Sequence, residues 1–419
     1  MPRRSALSGA RSGLPLYLAT AFFARLAEEG MAVAVVLLAL QRSGSAGQGA
    51  FVLTAWMAPH VIAAPLVGAL VSRMRHPRIC YLGALSGFAG AIAVLATSVG
   101  RAPAPVTLAV ALIGGSFGPV VSGGLSSLIT ALLPAGGSRD RAYALDAAVY
   151  NAASVAGPAV AGLVAAVVSP GAAMLLLAAA AATAAALATG LPYGHRQPAA
   201  AGAPAGTLRA DLAAGLAAVW RIRALRALTA GTCLAFVGVG GLTTTTVLLA
   251  GHREHPGAGG ILMTAFALGA LAGSLAVARW RPPLSDPRLV TLALCGTGAA
   301  LAAAALPVSP TATTALFVLA GLCDGPLLTA TLRLRAVHAP PPVRAQVFTL
   351  GAGLKITAAA CGATLVGAAA ALPPPLLLLG IAAAHLAAAL LYTVVRPREA
   401  SPRDAACPRA PLPDARPLP

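Results

Sequence analysis

Three charged residues stand inside the first apolar run of this chain. The segment FFARLAEEGMAVAVV carries Arg25, Glu28 and Glu29 between Leu14 and Leu40. Their spacing of i, i+3 and i+4 puts the guanidinium and both carboxylates on roughly one face of a helix. A charge at that depth in a bilayer is costly unless it is paired or wetted, so the face must look into protein or a water-filled cavity. One arginine neutralises one carboxylate. The other is then the odd charge, able to load and release a proton, and the two glutamates titrate as a coupled pair. Proton coupling is the expected role, with Arg25 tuning the glutamates; the alternative is a static Arg25–glutamate pair beside a carboxylate in a polar crevice.

A second pair falls later, at Asp324 and Lys355, each near the middle of an apolar run. Lys355 is the only lysine in a chain that uses arginine at every other basic position. A desolvated lysine can give up its proton where an arginine cannot, so the pair reads as a second proton switch or as an ionic lock between neighbouring helices. Asp146, Tyr150 and Asn151 share part of a helix face and are weaker candidates for substrate contact. Asp146 could equally pair with Arg141 at a helix end. His60 and His385 are isolated and read as packed, hydrogen-bonded residues. Thr243 to Thr246 could line a cavity or bond back to their own helix.

The six cysteines are scattered without a CxxC pair, so neither a metal site nor a disulfide framework is expected. There is no GxxxxGK[ST] motif, which excludes direct use of ATP through that motif. No convergent set of catalytic residues is visible, so we expect no enzyme and no cofactor.

The elements that must position these residues follow from composition. The 419 residues are 58% hydrophobic and 10% charged, with a mean hydropathy of +0.83, too apolar for a water-soluble domain. Apolar runs recur near the roughly 20 residues that a membrane-crossing helix needs. They predict spans at 14–41, 50–71, 79–100, 104–132, 142–168, 171–191, 225–250, 258–280, 288–306, 312–334, 344–371 and 375–395. The basic start, MPRRSALSGARSG, resembles a secretory leader, but the run behind it is too long for one and reads as the first span.

Charge then sets the expected topology. Outside the spans, only Arg42, Arg101 and Arg253 fall on the side away from the termini, whereas the other arginines lie with the termini. By the positive-inside rule both termini are cytoplasmic. The formal net charge of +18 therefore reflects topology and implies no nucleic-acid partner.

Residues 194–226 begin as a Pro/Ala/Gly linker and end in a basic amphipathic stretch with Trp220, suited to the membrane surface. The linker separates two similar halves. Gly118-Pro119 in the fourth span matches Gly325-Pro326 in the tenth, Arg141-Ala142 matches Arg344-Ala345, and VLTAW matches ILMTAF. The expected fold is an all-α membrane protein with twelve transmembrane helices in two pseudo-symmetric six-helix bundles. The expected units are 1–193, a linker at 194–224, 225–395, and a disordered tail at 396–419.

This organisation resembles the major facilitator superfamily over nearly the whole chain. Gly68, Leu70 and Arg73 match the family's motif after the second span, while Ser72 stands in place of its aspartate. That departure puts the family's charged latch in doubt. Gly157-Pro158 resembles the glycine-proline motif of the family's exporters, whereas the fourth span lacks the arginine common in its proton-coupled drug pumps. The resemblance implies a monomeric secondary transporter in the plasma (inner) membrane, working by alternating access around a central site. Its expected partners are a small organic substrate, protons and the lipid bilayer, with efflux against protons as the leading activity. A nutrient importer of the same fold is the alternative; an intramembrane enzyme or sensor is a more distant one.

Overall fold

The computed structural model describes residues 3–44, 46–74, 76–193, 207–254, 258–280, 283–306 and 309–396. All regular structure among them is helical. Span 1 runs Arg3–Ser43. Span 2 is two pieces, Ala46–Met57 and His60–Arg73, and span 3 is Pro77–Ser98. Span 4 starts as Ala104–Gly115, passes through a π-helical turn at Val120–Gly124 and ends at Leu132. Spans 5 and 6 are Gly137–Val167 and Pro170–Ala188. A surface helix, Leu208–Arg221, leads to span 7, Arg223–His252. Spans 8 to 12 are Ala258–Trp280, Asp286–Ala305, Pro310–His338, Arg344–Ala368 and Pro374–Val395.

Local chemistry explains several of these boundaries. Ser169 and Ser309 each accept a backbone N–H, from Ala172 and Ala312, with proline at the first helical position behind them. Thr207 caps the surface helix in the same way through Ala210 N–H. Pro59 cannot donate a backbone hydrogen bond, and span 2 breaks there, which starts its second piece at His60.

Among the described residues, eleven helical stretches are long and apolar enough to cross a membrane. Span 1 is the twelfth crossing, and Arg25, Glu28 and Glu29 are what lower its apolar character. The helix pairing is duplicated. Spans 1·5, 1·6, 2·4, 3·4 and 3·6 pack within the first half, and 7·11, 7·12, 8·10, 9·10 and 9·12 repeat them in the second. The halves meet through the reciprocal pairs 5·8 and 11·2. Residues 194–206 and 397–419, where the linker and the tail were expected, lie outside the described residues, as does the side chain of Arg73.

At the basic end, which carries the termini, the halves are closed on each other. Gly68 lies against Gln346 and Thr349 of span 11. Tyr143 stacks on Phe348 with ring centroids 6.1 Å apart. Arg333 reaches across to donate to the carbonyl of Asp140 at 3.0 and 2.9 Å and also meets Asp286 at 3.3 Å. The bond that crosses between the halves thus goes to a backbone carbonyl, and the ionic contact with Asp286 stays within the second half. Leu70 is exposed on the outer surface of its helix. The surface helix leans on the 2·11 contact, with Gly215 against the Gln346 side chain.

Candidate functional site

The opening trio does not act as one group. Arg25 turns away from both glutamates to span 5, where its Nη1 donates to the Asp146 carboxylate at 2.8 Å and to the Asp146 carbonyl at 3.0 Å. Its Nη2 donates to Ser126 Oγ at 3.0 Å. Tyr17 and Ser126 donate to the same carboxylate at 2.8 and 2.6 Å. Two expectations are corrected: Arg25 does not neutralise a glutamate, and Asp146 does not pair with Arg141. Helical spacing allowed the first pairing, but side chains on a helix lean toward its N-terminus. From there Arg25 finds an acceptor with two further donors already in place.

The glutamates face a cavity between the halves. Glu28 Oε1 lies 3.5 Å from Nε2 of His60, whose Nδ1 is 3.1 Å from the Met57 carbonyl. A carbonyl only accepts, so Nδ1 carries a hydrogen, and a neutral ring would aim its Nε2 lone pair at the carboxylate. The carboxylate and the imidazole are therefore placed as one polar pair between spans 1 and 2. His60, read from sequence as an isolated packed residue, was missed because its partner is on another helix and its position depends on the break at Pro59.

Glu29 has Glu28, Lys355, the Tyr150 hydroxyl and, with a smaller effect, Arg25 as its polar neighbours. Lys355 Nζ sits over two rings, 4.7 Å from the centre of Tyr150 and 4.5 Å from that of Phe236. Among the described residues it forms no ion pair within 4.0 Å. Asp324 lies in its field on one side and Glu29 on the other. The direct Asp324–Lys355 pair expected from sequence is therefore not made in this state. Asp324 has His385 as its other ionisable neighbour.

Two adjoining cavities share Ser122, Tyr150, Phe236 and Lys355 as their common wall. The wider one, about 260 Å³, contains Glu28, Glu29, His60 and Trp56 and lies toward the end opposite the termini. The narrower one, about 60 Å³, contains Asp324 and Arg335 and lies toward the basic end. Asn151 also lines the narrow cavity, with its amide donating to Ser274 Oγ at 2.8 Å and to the Ala270 carbonyl at 3.2 Å. It ties span 5 to span 8 beside the site. Gly157 lets spans 1 and 5 cross closely: a Cβ there would be 2.8 Å from the Gly30 nitrogen and 3.0 Å from Glu29 Cβ. Pro158 follows inside the same helix.

No group of three or more metal-ligating side chains occurs among the described residues. The model of the Major Facilitator Superfamily matches residues 17–280, more than half of the chain. The chain belongs to the major facilitator superfamily. Superfamily relatives extend the match. An uncharacterised MFS-type transporter of Sinorhizobium fredii is 28% identical over 85% of this chain and 88% of its own length. The multidrug efflux pump Tap of Mycobacterium tuberculosis is 29% identical, covering 83% and 85%. The solved structure of the E. coli fucose:proton symporter aligns with a TM-score of 0.75 at 11% identity, over 93% of this chain and all of that one. At that identity the likeness is one of fold.

Within this superfamily architecture, Gly118 leaves room for the Glu28–His60 pair. A Cβ at Gly118 would strike His60 Nε2 and lie 3.2 Å from Glu28 Oε1. The G118A variant is expected to push the imidazole off the carboxylate and to slow transport. Overpacking should also cost roughly 1–3 kcal/mol of stability. Transport rates compared with a thermal melt of the same preparation check it: wild-type transport in G118A would show the pairing to be dispensable.

Proposed function

We propose that this superfamily transporter exports a small organic molecule in exchange for protons. The reading rests chiefly on the Glu28–His60 pair, a carboxylate and an imidazole 3.5 Å apart that face the wider cavity. Glu29 beside it is the second carboxylate that can take a proton, and Lys355 and Asp324 extend the set of charges toward the other half. Rocking of the halves would expose the cavity to one side and then the other, with protonation deciding which charges can be desolvated. The relative named a multidrug efflux pump supports export, and the distribution of arginines supports a plasma-membrane protein with both termini in the cytoplasm.

Everted vesicles test this reading with a panel of cationic, neutral and anionic organic compounds. Some members should accumulate only when the interior is acidic, and the E28Q/E29Q variant should abolish that dependence. Gradient-independent accumulation, or an unchanged gradient dependence in the variant, would refute the coupling. Uptake confined to right-side-out vesicles would favour the importer.

A further inference from the structure

The narrow cavity contains a buried cation with no anion against it. Arg335 was read from sequence as part of the loop after span 10, but that helix continues to His338 and carries the side chain inward, where the residue is only 4% exposed. Its Nε and Nη2 have no hydrogen-bond partner. Its guanidinium lies on the backbone of span 11 at Gly351, where an added Cβ would run into it. Its ionisable neighbours are the thiol of Cys233 and a second cation, Lys355. One helical turn earlier, Thr331 is also buried, and its hydroxyl has no partner. Thr331, Arg335 and Lys355 all line the same cavity.

Unpaired donors on a buried guanidinium are strongly unfavourable, and a like charge nearby makes the position worse. Asp146, which also lines this cavity, cannot relieve it, because its carboxylate is already committed to Arg25, Tyr17 and Ser126. Asp324 is the other acidic residue lining this cavity, and its ionisable neighbours are His385 and Lys355 rather than Arg335. The missing partner is therefore an acceptor that arrives from outside. A planar oxyanion fits the fork of an arginine with two parallel hydrogen bonds, and a hydroxyl one turn away adds a third.

Resting on the transporter reading above, we infer that Arg335, with Thr331 and Lys355, binds the carboxylate head of an organic anion substrate whose apolar body extends past Tyr150 and Phe236 into the wider cavity. The dimensions agree with this division. About 60 Å³ admits a head group and excludes a larger body, whereas about 260 Å³ lined by Leu53, Trp56, Met57 and Ile356 admits an apolar ring or short chain. Lys355, over two aromatic faces at the junction, would meet the head as it passes.

Purified full-length protein in low-salt detergent buffer tests the inference, using benzoate and cyclohexanecarboxylate against their uncharged amides. Both acids should raise the melting temperature and both amides should not. R335Q should melt at or above the wild type without ligand, because it removes an uncompensated charge, and should bind benzoate roughly tenfold or more weakly. R335K should fall between them, since it keeps the charge and loses the fork. The inference fails if acids and amides act alike on the wild type, if R335Q keeps the acid preference, or if R335Q without ligand melts lower. Chloride matching benzoate would leave an inorganic ion as the occupant and overturn the organic assignment. No gradient is used, so a failure of proton coupling leaves this result standing, and the reverse also holds.

Discussion

Replacing Asp146 by alanine is expected to cost about 3–5 kcal/mol and to leave little folded transporter in the membrane. The carboxylate takes hydrogen bonds from Arg25, Tyr17 and Ser126, and the side chains of the ion pair are each 1% exposed. Removing it leaves a guanidinium buried among spans 1, 4 and 5 with its best acceptor gone. Removing both charges is a different experiment. An R25M/D146L protein fills similar volume without desolvating ions, and should recover most of the lost melting temperature. Melting curves of the single and double variants decide the matter: a D146A protein as stable as the wild type would mean that the pair holds nothing together. Arg25 and Asp146 thus act as a clasp within one half that does not use Glu28 or Glu29.

Replacing Gly68 by valine should hold the basic end apart. A Cβ at that position would lie 2.5 Å from the Gln346 Cα and would strike Thr349 Oγ1. Backbone cannot move aside as a flexible side chain can, so the state with spans 2 and 11 in contact is penalised by roughly 1–3 kcal/mol, which is about a 5- to 150-fold shift in population. Phe348, fully buried at that end, provides the reading. With the native cysteines replaced, F348C should resist a membrane-impermeant maleimide applied from the basic side in otherwise wild-type protein, and should label readily once G68V is added. Equal protection in both would show that Gly68 does not govern closure. Transport should fall with the same substitution, because a gate that cannot close cannot alternate.

Much of the architecture was legible because lipid imposes a simple rule on sequence. Twelve apolar runs, arginines gathered on one side and matching Gly-Pro pairs were enough to expect two similar bundles, and the repeated helix pairing bears that out. Helix partners were harder to read. Spacing along one helix places Arg25 near Glu28 and Glu29, yet the partner it takes is 121 residues away. His60 carries no local signal, since its meaning comes from Glu28 across a helix boundary. Arg335 was misplaced because a basic residue near a span end looks like a loop residue. Only the continuation of that helix shows it buried.

The lone lysine also gives the molecule a built-in reporter. Apart from the chain's own α-amine, Lys355 is the single primary amine in 419 residues, and it sits where the two cavities join. An amine-reactive dye supplied to one face of a sealed vesicle would mark it only when the path from that face stands open. Intact, unmutated protein could then be timed through its cycle, stroke by stroke, by the colour it acquires.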